Sequence, residues 1–295
     1  MAKKENKSIP PRFSIFKKAA IALSVIIGAG AVALIWEEGP WNDLKESVYT
    51  YVTGQDVATW ELKYSPEQLM ALHKDELLGQ EIPGKDKKIF REASLLYAPY
   101  LLLDVKYTEE RKTREGFLLW GLIDGEIVLN TDTWEMTHGF KDCMDAGANR
   151  GEFKLIQLLA KKQGGILQDD LQRELNLDRE QFLRLIEQAK HKHLVVQKGQ
   201  LLHLHFENPK FVVIPQTRMT QQMVSKPLLE GQKIGRVYNR SAVKVAAKAA
   251  FGEDFKIRSE KEIFLPVCRL HVLNPDGSVY ATDWNALTGQ RIKGF

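Results

Sequence analysis

The chain has 295 residues, of which 44% are apolar, 27% charged and 9% aromatic, proportions that exclude a disordered or fibrous protein. The formal net charge is +4, but residues 1–36 contain six cations and one acid, so residues 37–295 carry −1. A neutral body is a poor match to a nucleic-acid-binding protein, whose affinity depends largely on neutralising phosphates.

A basic arm, residues 1–18, precedes a long apolar segment. Residues 19–36 contain no charged side chain and approach the ~20 residues that a helix needs to cross a bilayer. Lysines border this segment on one side and acids on the other, which predicts a cytoplasmic N-terminus and an extracytoplasmic body. The alternatives are a cleaved signal peptide and a buried soluble helix. We predict an uncleaved, single-pass transmembrane anchor that contacts the lipid bilayer.

The first part of the body, residues 37–147, mixes helical and strand patterns. Ser65-Pro66 predicts a helix start, because serine is a good N-cap and proline suits the first helical position. Alternating apolar patterns predict strands within 95–107 and 116–131, joined by a charged loop. Asp124-Gly125 lies between two apolar runs and predicts a hairpin turn. In a type I′ turn Gly125, like Gly277 in the later Asp-Gly pair, would have positive φ. We expect a small α/β module here.

Residues 148–210 have a different pattern, with three amphipathic helices followed by two strands around Lys198-Gly199. Asp178 is the expected N-cap of the third helix. This arrangement resembles a winged-helix domain. Residues 151–206 contain nine cations and seven acids, a weak excess for binding DNA. The interpretation is therefore a domain for protein interaction or a purely structural one, with DNA binding as the alternative.

A proline-containing linker, residues 211–237, leads to the last part of the chain, residues 238–295. An Ala-rich helix is predicted over 241–252, with Gly252 as its C-cap. Two strands follow, and Asp276-Gly277 predicts a second hairpin turn. We expect a second small α/β module.

The two predicted modules contain similar spacings of residues around their turns. In each, an apolar strand with a proline precedes an Asp-Gly pair, which is followed by a tryptophan and a Thr/Gly stop. The residues that define this repeat are Pro99, Gly125 and Trp134 in the first copy and Pro266, Gly277 and Trp284 in the second. They are structural candidates, and equivalent packing of Trp134 and Trp284 is the expectation that tests the repeat.

The last part of the chain also resembles the PepSY family of small extracytoplasmic modules. The matching residues are Ala242, Ala246 and Ala247 on the helix, Asp276-Gly277 at the turn, and Asp283 with Thr288-Gly289 at the end. The sequence departs from the family in placing Trp284 beside Asp283 and in lengthening the gap to Thr288. The resemblance implies an inhibitory or substrate-presenting module without catalysis of its own.

Histidines and cysteines are the remaining candidates for chemistry. With Lys198-Gly199 as a two-residue turn, His203 and His205 point away from His193, which leaves too few imidazoles for zinc. His138, Asp142 and Cys143 contain a thiol near a base, but no signature of a cysteine enzyme surrounds them. Two cysteines, Cys143 and Cys268, leave both a disulfide and two buried thiols open.

These patterns together predict an α+β protein with a single N-terminal transmembrane helix and two related small α/β modules flanking a winged-helix-like insert. No catalytic, cofactor-binding or metal-binding residue is predicted, and no small-molecule substrate is evident. We expect a non-enzymatic, membrane-anchored protein of the bacterial cell envelope that acts by contact with another protein, as a scaffold, adaptor or inhibitory module. The alternative is a membrane-tethered winged-helix transcription regulator with its soluble part in the cytoplasm.

Overall fold

The computed structural model describes residues 56–79, 87–162, 165–228 and 232–292. Its helices are α1 (Pro66–Leu72), α2 (Lys74–Leu78), α3 (Phe140–Asp145), α4 (Arg150–Lys161), α5 (Gln168–Leu175), α6 (Arg179–His191) and α7 (Arg240–Phe251). Its strands are β1 (Val57–Trp60), β2 (Ile89–Glu109), β3 (Lys112–Gly121), β4 (Ile127–Asn130), β5 (Glu135–Met136), β6 (Ile166–Leu167), β7 (Val195–Lys198), β8 (Leu201–Leu204), β9 (Met223–Lys226), β10 (Lys256–Leu273), β11 (Val279–Asn285) and β12 (Arg291–Ile292).

One large mixed sheet organises this part of the chain. The strand order is β12-β11-β10-β2-β3-β4-β5, with β1 parallel to β10 and β9 antiparallel to β1. The long strands β2 and β10 form its centre and pair antiparallel from Ile89↔Leu273 to Lys106↔Lys256. The predicted fold class is wrong here, because the two expected modules share one sheet instead of flanking an insert as separate units.

The transmembrane part of that prediction is not upheld either. Within the described ranges, no helix is long and apolar enough to cross a membrane. The predicted anchor, residues 19–36, and the basic arm before it lie outside the described residues. We therefore drop the single-pass membrane assignment.

The helical block between β5 and β9 has its own three-stranded sheet, in the order β6-β8-β7. Its elements follow one another as α4, β6, α5, α6, β7 and β8. Asn149 and Glu152 form a capping box at the start of α4, and Asp178 accepts the Gln181 N–H at the start of α6. The resemblance of this block to a winged-helix domain stays a prediction.

The two halves of the large sheet repeat one hydrogen-bonding pattern, but in a different register from the predicted one. The Leu122 N–H donates to the Pro99 carbonyl at 3.1 Å, and the Ala286 N–H donates to the Pro266 carbonyl at the same distance. Trp120 pairs with Leu101 as Trp284 pairs with Cys268.

The turns show the same correspondence. The Gly121 N–H donates to the Glu126 carbonyl, and the Asn285 N–H donates to the Gln290 carbonyl, both at 2.8 Å. Asp124-Gly125 therefore matches Thr288-Gly289, and the predicted match with Asp276-Gly277 is wrong. The predicted match between the two Asp-Gly pairs is wrong because they lie in turns that join different strand pairs, β3–β4 in one case and β10–β11 in the other.

The core lies on both faces of the large sheet. On one face, α3, α4 and α7 pack over the half that contains Leu101, Leu103 and Trp120. On the same face, α1 and α2 pack over the half that contains Leu270 and Trp284. The opposite face holds a second apolar cluster, which includes Trp60, Tyr100, Trp134, Ile263 and Leu265. The burial of large side chains on both faces explains why β2 and β10 contain almost continuous apolar runs.

Part of the predicted linker completes the sheet. Between β3 and β4, the Thr217 hydroxyl accepts the Leu119 N–H at 2.8 Å and donates to the Val128 carbonyl at 2.6 Å. The Thr217 N–H donates to the Phe117 carbonyl at 2.6 Å. The segment around this threonine thus satisfies backbone groups where the two strands diverge.

Candidate functional site

The predicted turn glycines occupy the backbone conformation expected of them. Gly125 has φ +70° and Gly277 has φ +83°, and in each turn the preceding aspartate has negative φ. The turns are therefore not type I′, which requires two residues with positive φ. Gly277 stands in open space, whereas a Cβ on Gly125 would lie 2.9 Å from the Tyr238 ring. Only the first glycine is constrained by tertiary packing.

The predicted tryptophans do not occupy equivalent positions. Trp284 lies within β11, is fully buried and stacks on His73 with ring centroids 3.6 Å apart. Trp134 follows β4 with φ +50° and makes edge contacts with Trp60 and Tyr100. The residue equivalent to Trp284 is Trp120. The sequence comparison missed it because Trp120 precedes its Asp-Gly pair, whereas the predicted repeat has its tryptophan after the pair.

The predicted prolines lie side by side at the centre of the sheet. Pro99 pairs with Phe264 and Pro266 pairs with Tyr97, on either side of the Ala98↔Leu265 pair. Each carbonyl accepts an N–H from the end of its own hairpin. Their role is structural, because each proline lies directly beside the end of the strand pairing in its own hairpin.

The thiol candidate has no geometry for catalysis. Cys143 is fully buried in the core, whereas His138 and Asp142 are exposed. Burial and the nearby acids Asp142 and Glu126 raise the pKa of the Cys143 thiol far above its usual range. A buried neutral thiol is neither a nucleophile nor a metal ligand. Cys268 is also buried and unpaired, so the two cysteines do not form a disulfide.

The histidine prediction contained a register error. The turn between β7 and β8 consists of Gly199 and Gln200, so that His203 pairs with Val196. This shift moves each pairing by two residues and so leaves His203 and His205 on their predicted face. His193 lies before β7 with φ +54°, and the centroids of its ring and the His205 ring are 5.8 Å apart, instead of the rings pointing apart. Even so, no group of three metal-ligating side chains occurs among the described residues.

The exposed face of α6 carries charges that pair locally. Arg184 forms an ion pair with Glu180 at 2.7 Å, and Lys190 forms one with Glu187 at 3.1 Å. Leu183 lies on the same face, beside the first pair, and its exposed fraction is 45% although it is a large apolar residue. We call this face of α6 the Leu183 face.

A third basic residue close to this helix points inward. Lys192, just after α6, donates to the buried carboxylate of Glu152 at 2.7 Å and to the Gly147 carbonyl at 2.9 Å. This ion pair ties the end of α6 to the start of α4. Removing Lys192 would leave the buried carboxylate of Glu152 without its counter-charge, which is costly. Lys192 is therefore used inside the fold and does not contribute to a basic surface.

The Leu183 face is the strongest candidate for contact with a partner. Two of its cations, Arg184 and Lys190, are each paired with an acid one helical turn away, and Leu183 is an exposed apolar residue beside them. Such a surface suits a protein better than a phosphate backbone. Comparisons with family models, curated proteins and solved structures found no match for this chain.

Proposed function

We propose that this chain acts by binding another protein through the Leu183 face, as a scaffold, adaptor or inhibitory module, without catalysing a reaction. The observation that carries the proposal is an exposed leucine in the first half of α6, next to ion pairs that neutralise Arg184 and Lys190. Exposed pairs of this kind contribute only about 0–1 kcal/mol to stability. Their importance lies in the surface they leave, where an exposed leucine lies beside two cations that acids of the same helix neutralise.

The alternative is a winged-helix regulator that binds DNA through α6. It is favoured by the element order of the helical block, in which α6 is the third helix and precedes the two-stranded wing. It is disfavoured by the pairing of Arg184 and Lys190 with acids of the same helix. Both proposals use the same face, so one set of variants distinguishes them.

The test places a photo-crosslinking amino acid at position 183 of the full chain, expressed in its own organism. The expected result is one discrete protein adduct after irradiation. The matched control is Val245, another exposed apolar residue on a helix, with an exposed fraction of 68%. Equal adducts from both positions, or none from position 183, would refute the proposal, and an adduct with DNA would support the regulator.

A second measurement uses fluorescence anisotropy with a random-sequence DNA duplex at several salt concentrations. The natural chain should bind weakly, with an affinity that hardly depends on salt. The double variant Glu180→Gln and Glu187→Gln uncovers Arg184 and Lys190, and its logarithmic salt slope should become about −2 for two phosphate contacts. Strong salt-dependent binding by the natural chain would favour the regulator instead.

A further inference from the structure

The turn between β3 and β4 brings two carboxyl groups together inside the fold. Glu126 is 8% exposed and holds the segment that begins α3. Its carboxylate accepts hydrogen bonds from the Thr137 hydroxyl at 2.6 Å and from the N–H groups of Gly139, Phe140 and Lys141 at 2.9, 3.3 and 3.1 Å. Four donors therefore converge on this one carboxylate. Glu126 thus fastens α3 to the sheet.

Asp124, two residues earlier, has much less support for a negative charge. Its Oδ1 accepts the Glu126 N–H at 3.0 Å. Gly121 lies so close that a Cβ there would be 1.9 Å from Asp124 Oδ1. Burial, together with the neighbouring charge of Glu126, raises the pKa of Asp124 to about 7. The other titratable groups that face it are Tyr100 of β2 and Tyr238 in the segment before α7.

The second half of the sheet shows what the turn itself needs. At the position equivalent to Asp124, the Thr288 hydroxyl accepts the Gln290 N–H at 3.3 Å. A neutral oxygen therefore suffices for this hydrogen bond. The carboxyl group of Asp124 supplies the same contact and adds a charge that depends on pH.

The same turn contacts two further elements. Gly125 packs against the Tyr238 ring, and the Tyr238 hydroxyl donates to Asp145 at the end of α3 at 2.5 Å. The Trp120 indole N–H donates to the Gly125 carbonyl at 2.8 Å. A movement of this turn would therefore disturb its contacts with α3 and with the segment that leads into α7.

We propose that the β3–β4 turn is a proton-responsive latch, in which protonated Asp124 lets Glu126 hold α3 on the sheet and ionised Asp124 loosens that hold. The cause is the desolvation of Asp124, to which repulsion between the two carboxylates of the turn adds; Glu126 accepts four hydrogen bonds, whereas Asp124 accepts the Glu126 N–H. The latch is independent of the Leu183 face and goes beyond the proposed binding function.

The sign follows from the proton affinities of the closed and open states. The closed turn binds the Asp124 proton more tightly than solvent-exposed chain does, so closure is favoured at low pH. Opening becomes easier as pH rises from the ordinary carboxyl range and levels off above about 7. Between pH 6 and pH 8, linkage gives an increase of about tenfold in the opening equilibrium.

The test is hydrogen exchange of the full chain at pH 6 and pH 8, corrected for intrinsic rates. Amides of residues 139–141 should lose protection about tenfold in the natural chain. They should lose none in Asp124→Asn or in Asp124→Thr, which copies the Thr288 turn. The control Asp276→Asn alters an exposed turn carboxylate bonded to Ser278 and should behave as the natural chain does. Unchanged protection in the natural chain, or a loss that persists in both Asp124 variants, would overturn the proposal.

Discussion

Gly125 and Gly277 form a natural pair for separating backbone strain from steric clash. Both have positive φ, at which an alanine costs roughly 1–2 kcal/mol. No heavy atom lies within 4 Å of a Cβ on Gly277, so strain alone should determine the cost of Gly277→Ala. Its free energy of unfolding should therefore fall by about 1–2 kcal/mol.

Gly125→Ala should cost more, because its Cβ would meet fixed atoms. The Tyr238 ring lies 2.9 Å away and is anchored by its hydrogen bond to Asp145, and the Lys141 Cα lies 3.3 Å away. Overpacking of this kind typically adds about 1–3 kcal/mol. The expected loss is thus about 2–5 kcal/mol, clearly above that of Gly277→Ala.

Urea denaturation followed by tryptophan fluorescence measures both losses, provided that the m-value stays constant. Combining Gly125→Ala with Tyr238→Ala should recover much of the difference, because the ring that the new Cβ meets is then absent. Equal losses in the two single variants would refute the assignment of Tyr238 as the constraint. A larger loss for Gly277→Ala would refute the placement of both turns.

Three further predictions concern buried side chains and one strained residue. Trp120→Ala and Trp284→Ala should each cost about 3–5 kcal/mol in urea denaturation, since both indoles are fully buried; a loss under about 1 kcal/mol would contradict that burial. His193→Gly should raise the free energy of unfolding by about 1 kcal/mol, because His193 has φ +54° at the position after α6 where glycine is preferred, and a loss would count against this. Cys143 and Cys268 should resist a thiol reagent at pH 8 until urea unfolds the chain, whereas rapid modification of the folded protein would disprove their burial.

Local signals predicted the ends of helices well. Ser65 caps α1 with a capping box, Asp178 caps α6, and Gly252 follows the last residue of α7, all as expected from the sequence. Capping depends on side-chain oxygens and backbone N–H groups within three residues, so the pattern contains the whole interaction. One helix expected after Pro66 is interrupted at His73, which stacks on Trp284 from a distant strand.

Strand pairing was not predictable in the same way. The charged loop expected over 109–115 is a tight hairpin in which Glu110 and Arg111 both have positive φ. The turn between β7 and β8 lies one residue later than expected, so each residue of β8 pairs two residues further along β7 and keeps its face of the sheet. Turn residues alone do not specify such a shift in pairing.

The sequence by itself determined the neutral body, the capped helices, the glycines with positive φ and the apolar runs that became the central strands. Only the tertiary structure decided that β2 and β10 pair with each other across more than 150 residues and so merge the predicted modules into one sheet. It also decided that Trp120, not Trp134, corresponds to Trp284, and that Asp124 lies half-buried in one turn with Glu126. The physical reason is that a hydrogen-bonding partner, a burial environment and a pKa depend on atoms far along the chain, which no local pattern of residues contains.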